Sequence, residues 1–270
     1  MHNQVIPAQH LKSQEYLHRI KEWTDQQKMV LNEKKTKIML FNFTDNYKFT
    51  TRIALDEKNL EIVEQAKLLG VIITDDLKWG KNTEYLVKKA YMRLELLRKV
   101  SEFSSSIDDK REIYILYIRS ILEQSSVVWH SSLTNDDADD LERVQKAAIR
   151  LILGDKYENY ENGLIKANLE SLKDRRKALC KNFALKCVKS DNLRVKNMFP
   201  IKEINHSMKF RNIEKYEVDF ANTGRLKDSA IPYMQRMLNC ETMINEKQQI
   251  KRKIMSEDEY PERRKRRKPG

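Results

Sequence analysis

The stretch Leu31-Asn32-Glu33-Lys34-Lys35-Thr36-Lys37-Ile38-Met39-Leu40-Phe41 is answered further along the chain by Lys67-Leu68-Leu69-Gly70-Val71. A polar, turn-prone Asn-Glu-Lys-Lys segment runs into a continuous apolar run from Ile38 to Phe41. A short apolar run bounded by polar residues reads as a buried strand rather than a helix. Leu68 to Ile73 reads as a second such strand, in which Gly70 points to a bulge or a close backbone approach. Working outward from these two strands, the expected fold class is α+β. A small antiparallel sheet with one packed helix is followed by a mainly α-helical region.

The size and composition fit that picture. A chain of 270 residues is long enough for one large domain or two small ones. Hydrophobic residues make up 40% and charged residues 34%, which is a globular composition with a very polar exterior. Six glycines and five prolines are few, and favour helices over an all-β fold. No apolar run approaches the roughly 18 residues of a membrane span, and the N-terminus lacks the apolar region of a signal peptide. No membrane partner is expected. The three cysteines lack metal-ligand spacing and form no disulfide framework, which places the expected compartment inside the cell, nuclear or cytoplasmic.

The net charge of +12 is unevenly spread. Lys247 to Gly270 holds ten Lys/Arg against four Asp/Glu, leaving 42 against 36 in the preceding 246 residues. Half of the excess therefore sits on a short tail, and charge alone supports phosphate contact by the body only weakly.

Taken in order, Leu17, Ile20 and Trp23 recur at helical spacing after Ser13, an N-cap candidate, and give an amphipathic helix up to about Met29 that packs on a sheet. Strands are expected over Lys37–Phe43, Phe49–Leu55 and Leu68–Thr74, with a Thr-Asp-Asn turn and a short Leu60–Val63 segment between them. Beyond Trp79 the period changes from two to about 3.6. Leu86, Ala90, Leu94 and Leu97 line one helix; Ile113, Tyr117, Ile121 and Val128 the next; Leu141, Val144, Ala148, Leu151 and Ile152 a third, stopped by Gly154. A fourth runs from Ser171 to Val188 with Leu172, Leu179, Phe183 and Cys187 inward. Ser190 to Ser229 reads as a long connection, and Ala230–Asn239 as a short helix with Pro232 in its first turn.

Several of these pieces, in this order, resemble the C-terminal half of a jockey-like non-LTR retrotransposon reverse transcriptase. The residues are Trp23, then Leu31-Asn32 and Lys35-Thr36-Lys37 with Met39 and Phe41, then Lys67 to Trp79, then Ile118 to Glu123 leading to Trp129-His130 and Leu141 to Ala147. Residues 230–239 are similar to the closing motif of the same reading frames. The resemblance covers about residues 13 to 190. It implies a partial palm with its post-catalytic motif and primer-grip hairpin over 1–80, a thumb-like helical domain over 81–155, a helical C-terminal extension over 156–245 and a basic, disordered tail over 246–270. An intact family member copies RNA into DNA with magnesium held by aspartates. The Tyr-x-Asp-Asp box that family needs would lie upstream of Met1, so the chain itself is expected to have no catalytic residue, no metal site and no cofactor, and to be inactive as a polymerase alone. RNA or an RNA–DNA template–primer is the expected partner, with the missing polymerase part supplied in trans. A non-enzymatic nucleic-acid-binding or assembly protein derived from such an element is the alternative.

The resemblance puts Lys35 near the phosphates of an incoming nucleotide and Leu69 and Gly70 in the primer grip. The basic helical faces, Lys88, Lys89 and Arg93 and then Arg175 and Arg176, are candidates to track a nucleic-acid backbone. Arg263-Arg264-Lys265-Arg266-Arg267-Lys268 forms a basic six-residue run of the kind that serves as a nuclear-import signal or a phosphate-binding arm. Asp75-Asp76 imitates a polymerase metal pair but reads as a polar turn, because Ile73 stands where an aromatic would be needed. The acids Asp136, Asp137, Asp139, Asp140 and Glu142 read as a helix N-terminus capped by Thr134 or Asn135 rather than a metal site.

Overall fold

The computed structural model describes residues 8–41, 53–56, 58–103, 106–202, 215–218 and 220–240. The ends of the two expected strands at 42–43 and 49–52, the Thr-Asp-Asn turn and the basic tail lie outside the described residues. The fold is α+β, in two units, residues 1–85 and 86–270, with their boundary inside a helix. No helix among the described residues is long and apolar enough to cross a membrane.

The first unit is built on α1, Ala8–Gln26. It begins ahead of Ser13, which therefore lies inside the helix and not at its cap. Its C-terminus is a Schellman motif: the Met29 amide donates to the Thr24 carbonyl (2.8 Å) and that of Lys28, at φ +56°, to Asp25 (3.0 Å). That left-handed residue ends the helix at Gln26, short of Met29. The inward face is Gln14, Leu17, Lys21 and Thr24, so of the expected Leu17, Ile20 and Trp23 only Leu17 lies on it. Ile20 and Trp23 are instead 51% and 56% exposed. Two polar anchors set this rotation. The Gln14 side-chain amide donates to the Ala54 carbonyl and accepts from its amide, both at 3.0 Å, and Lys21 pairs with Asp56.

The strands form three two-stranded ladders rather than one sheet. β1, Lys37–Ile38, runs parallel to β4, Glu61–Ile62. β2, Ala54–Leu55, and β3, Lys58–Asn59, are antiparallel, as are β5, Gln65–Leu68, and β6, Val71–Thr74. Ile53, Leu55 and Leu60 form a small core, against which Leu17, Leu31 and Ile38 pack. Leu69-Gly70 is the two-residue loop of the β5–β6 hairpin, not a bulge within a strand. Both residues have positive φ (49° and 88°), the handedness that matches the twist of the flanking strands.

Helix α2, Gly80–Glu102, starts in the first unit, where the Asn82 side chain accepts from the Ile72 amide (3.1 Å) and ties the helix to β6. It continues into the second unit with Leu86, Ala90, Leu94 and Leu97 buried, as their spacing requires. Next come α3, Ile107–Ile113, a π-helical segment Tyr114–Arg119 and α4, Ser120–Leu122. The wide turn moves the buried set to Tyr114, Ile118, Ile121 and Leu122, so Tyr117 and also Val128 of α5 (Ser126–Trp129) face outward. α6, Asn135–Leu153, is capped by Thr134, whose hydroxyl accepts from the Asp137 amide, and ends at Gly154 with φ +55°. It packs against α3, α7 (Tyr160–Lys166) and α8 (Leu172–Val188). The α8 stripe is Leu172, Arg176, Cys180, Ala184 and Cys187, one residue round from the expected Leu179 and Phe183. The short helices α9, Leu193–Lys196, and α10, Gly224–Lys227, interrupt the connection to α11, residues 230–240. Met234 and Leu238 of α11 join Cys180, Ala184, Cys187, Phe199 and Tyr216 in one cluster. Buried Asn239 completes it by pairing with both backbone groups of Tyr216 (2.8 and 2.9 Å).

Candidate nucleic-acid interface

Lys35 lies at the end of the turn before β1. Its amide donates to the Asn32 carbonyl (3.0 Å) and to the Asn32 side-chain oxygen (3.1 Å), and Thr36 bonds the same carbonyl, so Asn32 shapes the loop. The Lys35 side chain is exposed. Leu69, 90% exposed, stands at the hairpin tip beside Gly70. At the hairpin's flank, Lys67 Nζ donates to the Tyr85 hydroxyl (2.7 Å) with its charge 4.4 Å from that ring.

Asp75 and Asp76 form a turn. One Asp76 oxygen accepts from the Thr74 hydroxyl (2.7 Å) and the Lys78 amide (3.0 Å), and the other pairs with Lys78 Nζ (3.2 Å). The Thr74 hydrogen bond leads the interactions that hold the Asp76 carboxyl below its ordinary pKa. Both Asp76 oxygens are engaged within the turn, and no metal-ion step is assigned to the pair. Among the described residues no group of three or more His, Cys, Asp or Glu is placed to hold a metal ion.

The basic candidates separate into two kinds. On α2, Lys88 and Arg93 are exposed and Lys89 is half-buried. Lys89 and Arg93, four apart, share a face, with Lys88 about 100° round the helix. Tyr91, Met92, Leu96 and Phe103 are exposed on the same helix or just past its end, while Arg98 is held by Glu95 (2.7 Å). This is a mixed basic, aromatic and aliphatic surface.

On α8 the two arginines do structural work instead. Arg175 donates from Nε and Nη2 to the two Glu123 oxygens (2.5 and 3.2 Å), and that pairing raises its pKa. Arg176, expected on the surface, is fully buried, with its guanidinium carbon 5.9 Å from the Trp129 ring centre. Being one residue from Arg175 on a helix, it is turned by about 100° into the interior. Burial lowers its pKa, against the pull of Glu142 and Glu123. It presents no edge to a phosphate.

Beside this charge lies a polar core that the apolar stripe concealed. Buried Gln145 accepts from the Tyr114 hydroxyl and donates to the Tyr160 hydroxyl and the Glu170 carbonyl, both at 2.9 Å. Tyr160 donates to Glu142 (2.5 Å), which also caps the Leu172 amide at the start of α8 (3.1 Å). Burial raises the pKa of both tyrosines. Gln145, a polar residue in the midst of the Leu141–Ile152 stripe, was the one sequence signal for it.

The Arg263–Lys268 run lies outside the described residues. No protein-family model, curated protein or solved structure matches the chain.

Proposed function

We propose that the chain is the palm-end, thumb and C-terminal extension of a non-LTR retrotransposon RNA-directed DNA polymerase, which contacts a template–primer but does not polymerise by itself. The motif resemblance carries this assignment. The observation on the molecule that supports contact is the α2 surface, where exposed Lys88 and Arg93 stand among exposed Tyr91 and Met92. Cationic side chains neutralise phosphates and an adjacent aromatic ring stacks on a base. Arg175 and Arg176 take no part in it. The test is binding of the purified chain to a primed RNA template together with a nucleotide-incorporation assay. Salt-dependent binding without incorporation is expected; incorporation by the chain alone overturns the proposal.

A second reading, an assembly protein derived from such an element, is favoured by α1. Tyr16, Ile20 and Trp23, spaced by four and three residues, are 60%, 51% and 56% exposed on a helix whose other side already covers the small core. Such a stripe suits docking to another polypeptide, with the missing polymerase part as the first candidate. Co-purification of the two parts, abolished by Trp23→Ala, supports it. Independent behaviour of both on gel filtration removes it.

A further inference from the structure

We infer that the exposed face of α1 is a further nucleic-acid contact of this chain, a platform for an unpaired strand. The inference rests on the nucleic-acid reading above and adds to it a place and a class of ligand. Lys12, Tyr16, Arg19 and Trp23 follow one another along α1 at steps of four, three and four residues, and all are exposed. At 3.6 residues per turn they fall within an arc of about 60°. Successive turns of the helix therefore present a cation and a ring in alternation, on the side away from Leu17, Lys21 and Thr24.

The charges of α1 sort by side. Glu22 is held by His18 (3.3 Å) and Lys21 by Asp56, whereas Lys12 and Arg19, beside the rings, meet no carboxylate among the described residues. An apolar polypeptide surface docking on this stripe gains nothing from unneutralised cations along it. A polyanion gains from both. The rings select its form. Seven residues set Tyr16 and Trp23 about 10 Å apart along the axis, whereas bases stacked in a duplex rise about 3.4 Å and offer no free face. Each ring therefore receives its own base from an unstacked strand, with Arg19 on a phosphate between the two and Lys12 on one beyond Tyr16. Glu15, about 40° beyond Arg19 on the same helix, works against that strand.

The test measures binding of the full chain to a uridine homopolymer RNA and to a primed RNA template over a range of salt concentrations. The unaltered chain is compared with Lys12→Ala/Arg19→Ala, Glu15→Gln, Trp23→Phe, Trp23→Leu and the α2 variant Lys88→Ala/Arg93→Ala, with circular dichroism to check that each is folded. For the homopolymer, loss of the two α1 cations is expected to reduce the slope of log affinity against log salt by up to about 1.4. Trp23→Leu is expected to weaken binding at least about fivefold, while Trp23→Phe, which keeps a ring, retains most of it and Glu15→Gln strengthens it. Homopolymer binding indifferent to Lys12, Arg19 and Trp23, with primed-template binding still lowered in the α2 variant, overturns this inference and leaves the earlier reading standing. Absence of salt-dependent binding to either RNA overturns both. RNA binding by Trp23→Leu equal to that of the unaltered chain overturns it in favour of a polypeptide partner for the stripe.

Discussion

Glu123 receives both Arg175 Nε at 2.5 Å and Arg175 Nη2 at 3.2 Å, joining the turn after α4 to the first turn of α8. The Glu123 side chain is 14% and the Arg175 side chain 27% exposed, so the pair is largely shielded from salt, and Arg119 Nε lies 3.8 Å from the Glu123 oxygen that Arg175 Nε meets. Removing one partner leaves the other charge poorly solvated. Arg175→Ala is expected to lower stability by about 2–3 kcal/mol, read from denaturant midpoints, while RNA affinity of the folded protein stays unchanged.

The Tyr114–Gln145–Tyr160 chain predicts non-additivity. Gln145→Leu strands the Tyr114 hydroxyl and the Glu170 carbonyl, while Tyr160 keeps its bond to Glu142, and should cost about 2–3 kcal/mol. Tyr114→Phe removes one of the stranded groups. The double variant should therefore be more stable than the sum of the single losses by at least about 0.5 kcal/mol in a double-mutant cycle.

At the hairpin tip, Leu69 holds a left-handed conformation with its side chain in solvent, a placement that asparagine tolerates better. Leu69→Asn is expected to raise stability by up to about 1 kcal/mol in thermal unfolding. A gain in stability accompanied by a loss of template–primer affinity would locate a binding contribution at that leucine.

His130 gives a pH dependence. Its ring meets Tyr233 edge-on with centres 5.9 Å apart, and burial together with Arg176, Lys173 and Lys177 lowers its pKa to about 4. The unfolded chain binds a proton near pH 6.5 that the folded chain refuses until about pH 4. The stability this group allows is therefore complete above pH 6.5 and is lost as the pH falls from 6.5 towards 4. Partial burial limits the loss to no more than about 3 kcal/mol. His130→Gln should flatten that part of the stability–pH curve; an identical curve would remove His130 as its cause.

The α+β class, α2, α6 and its two caps were legible because each rests on a local rule: a 3.6-residue stripe, a Thr134 hydroxyl, a glycine at Gly154. The errors were rotations. On α1 the bonds from Gln14 to Ala54 outweighed the apolar appeal of Ile20 and Trp23, and the π-helical segment shifted the stripe from Tyr117 to Ile118. On α8 the same one-residue shift carried Arg176 inside. A run of three basic residues does not show which of them faces inward; here Glu123, about fifty residues away, holds Arg175 at the interior's edge. Strand pairing was equally illegible, because Lys37 and Glu61 meet across a long separation.

The most direct test of the central claim is the salt dependence of primed-RNA affinity for the unaltered chain, for Lys88→Ala/Arg93→Ala and for Arg176→Met. Each cation withdrawn from a phosphate should reduce the slope of log affinity against log salt by about 0.7–0.9. A slope reduced by up to about twice that amount in the α2 variant, and unaltered in folded Arg176→Met, is the predicted result. Equal affinity and slope for the unaltered chain and the α2 variant would contradict the assignment of that helix to the nucleic-acid surface.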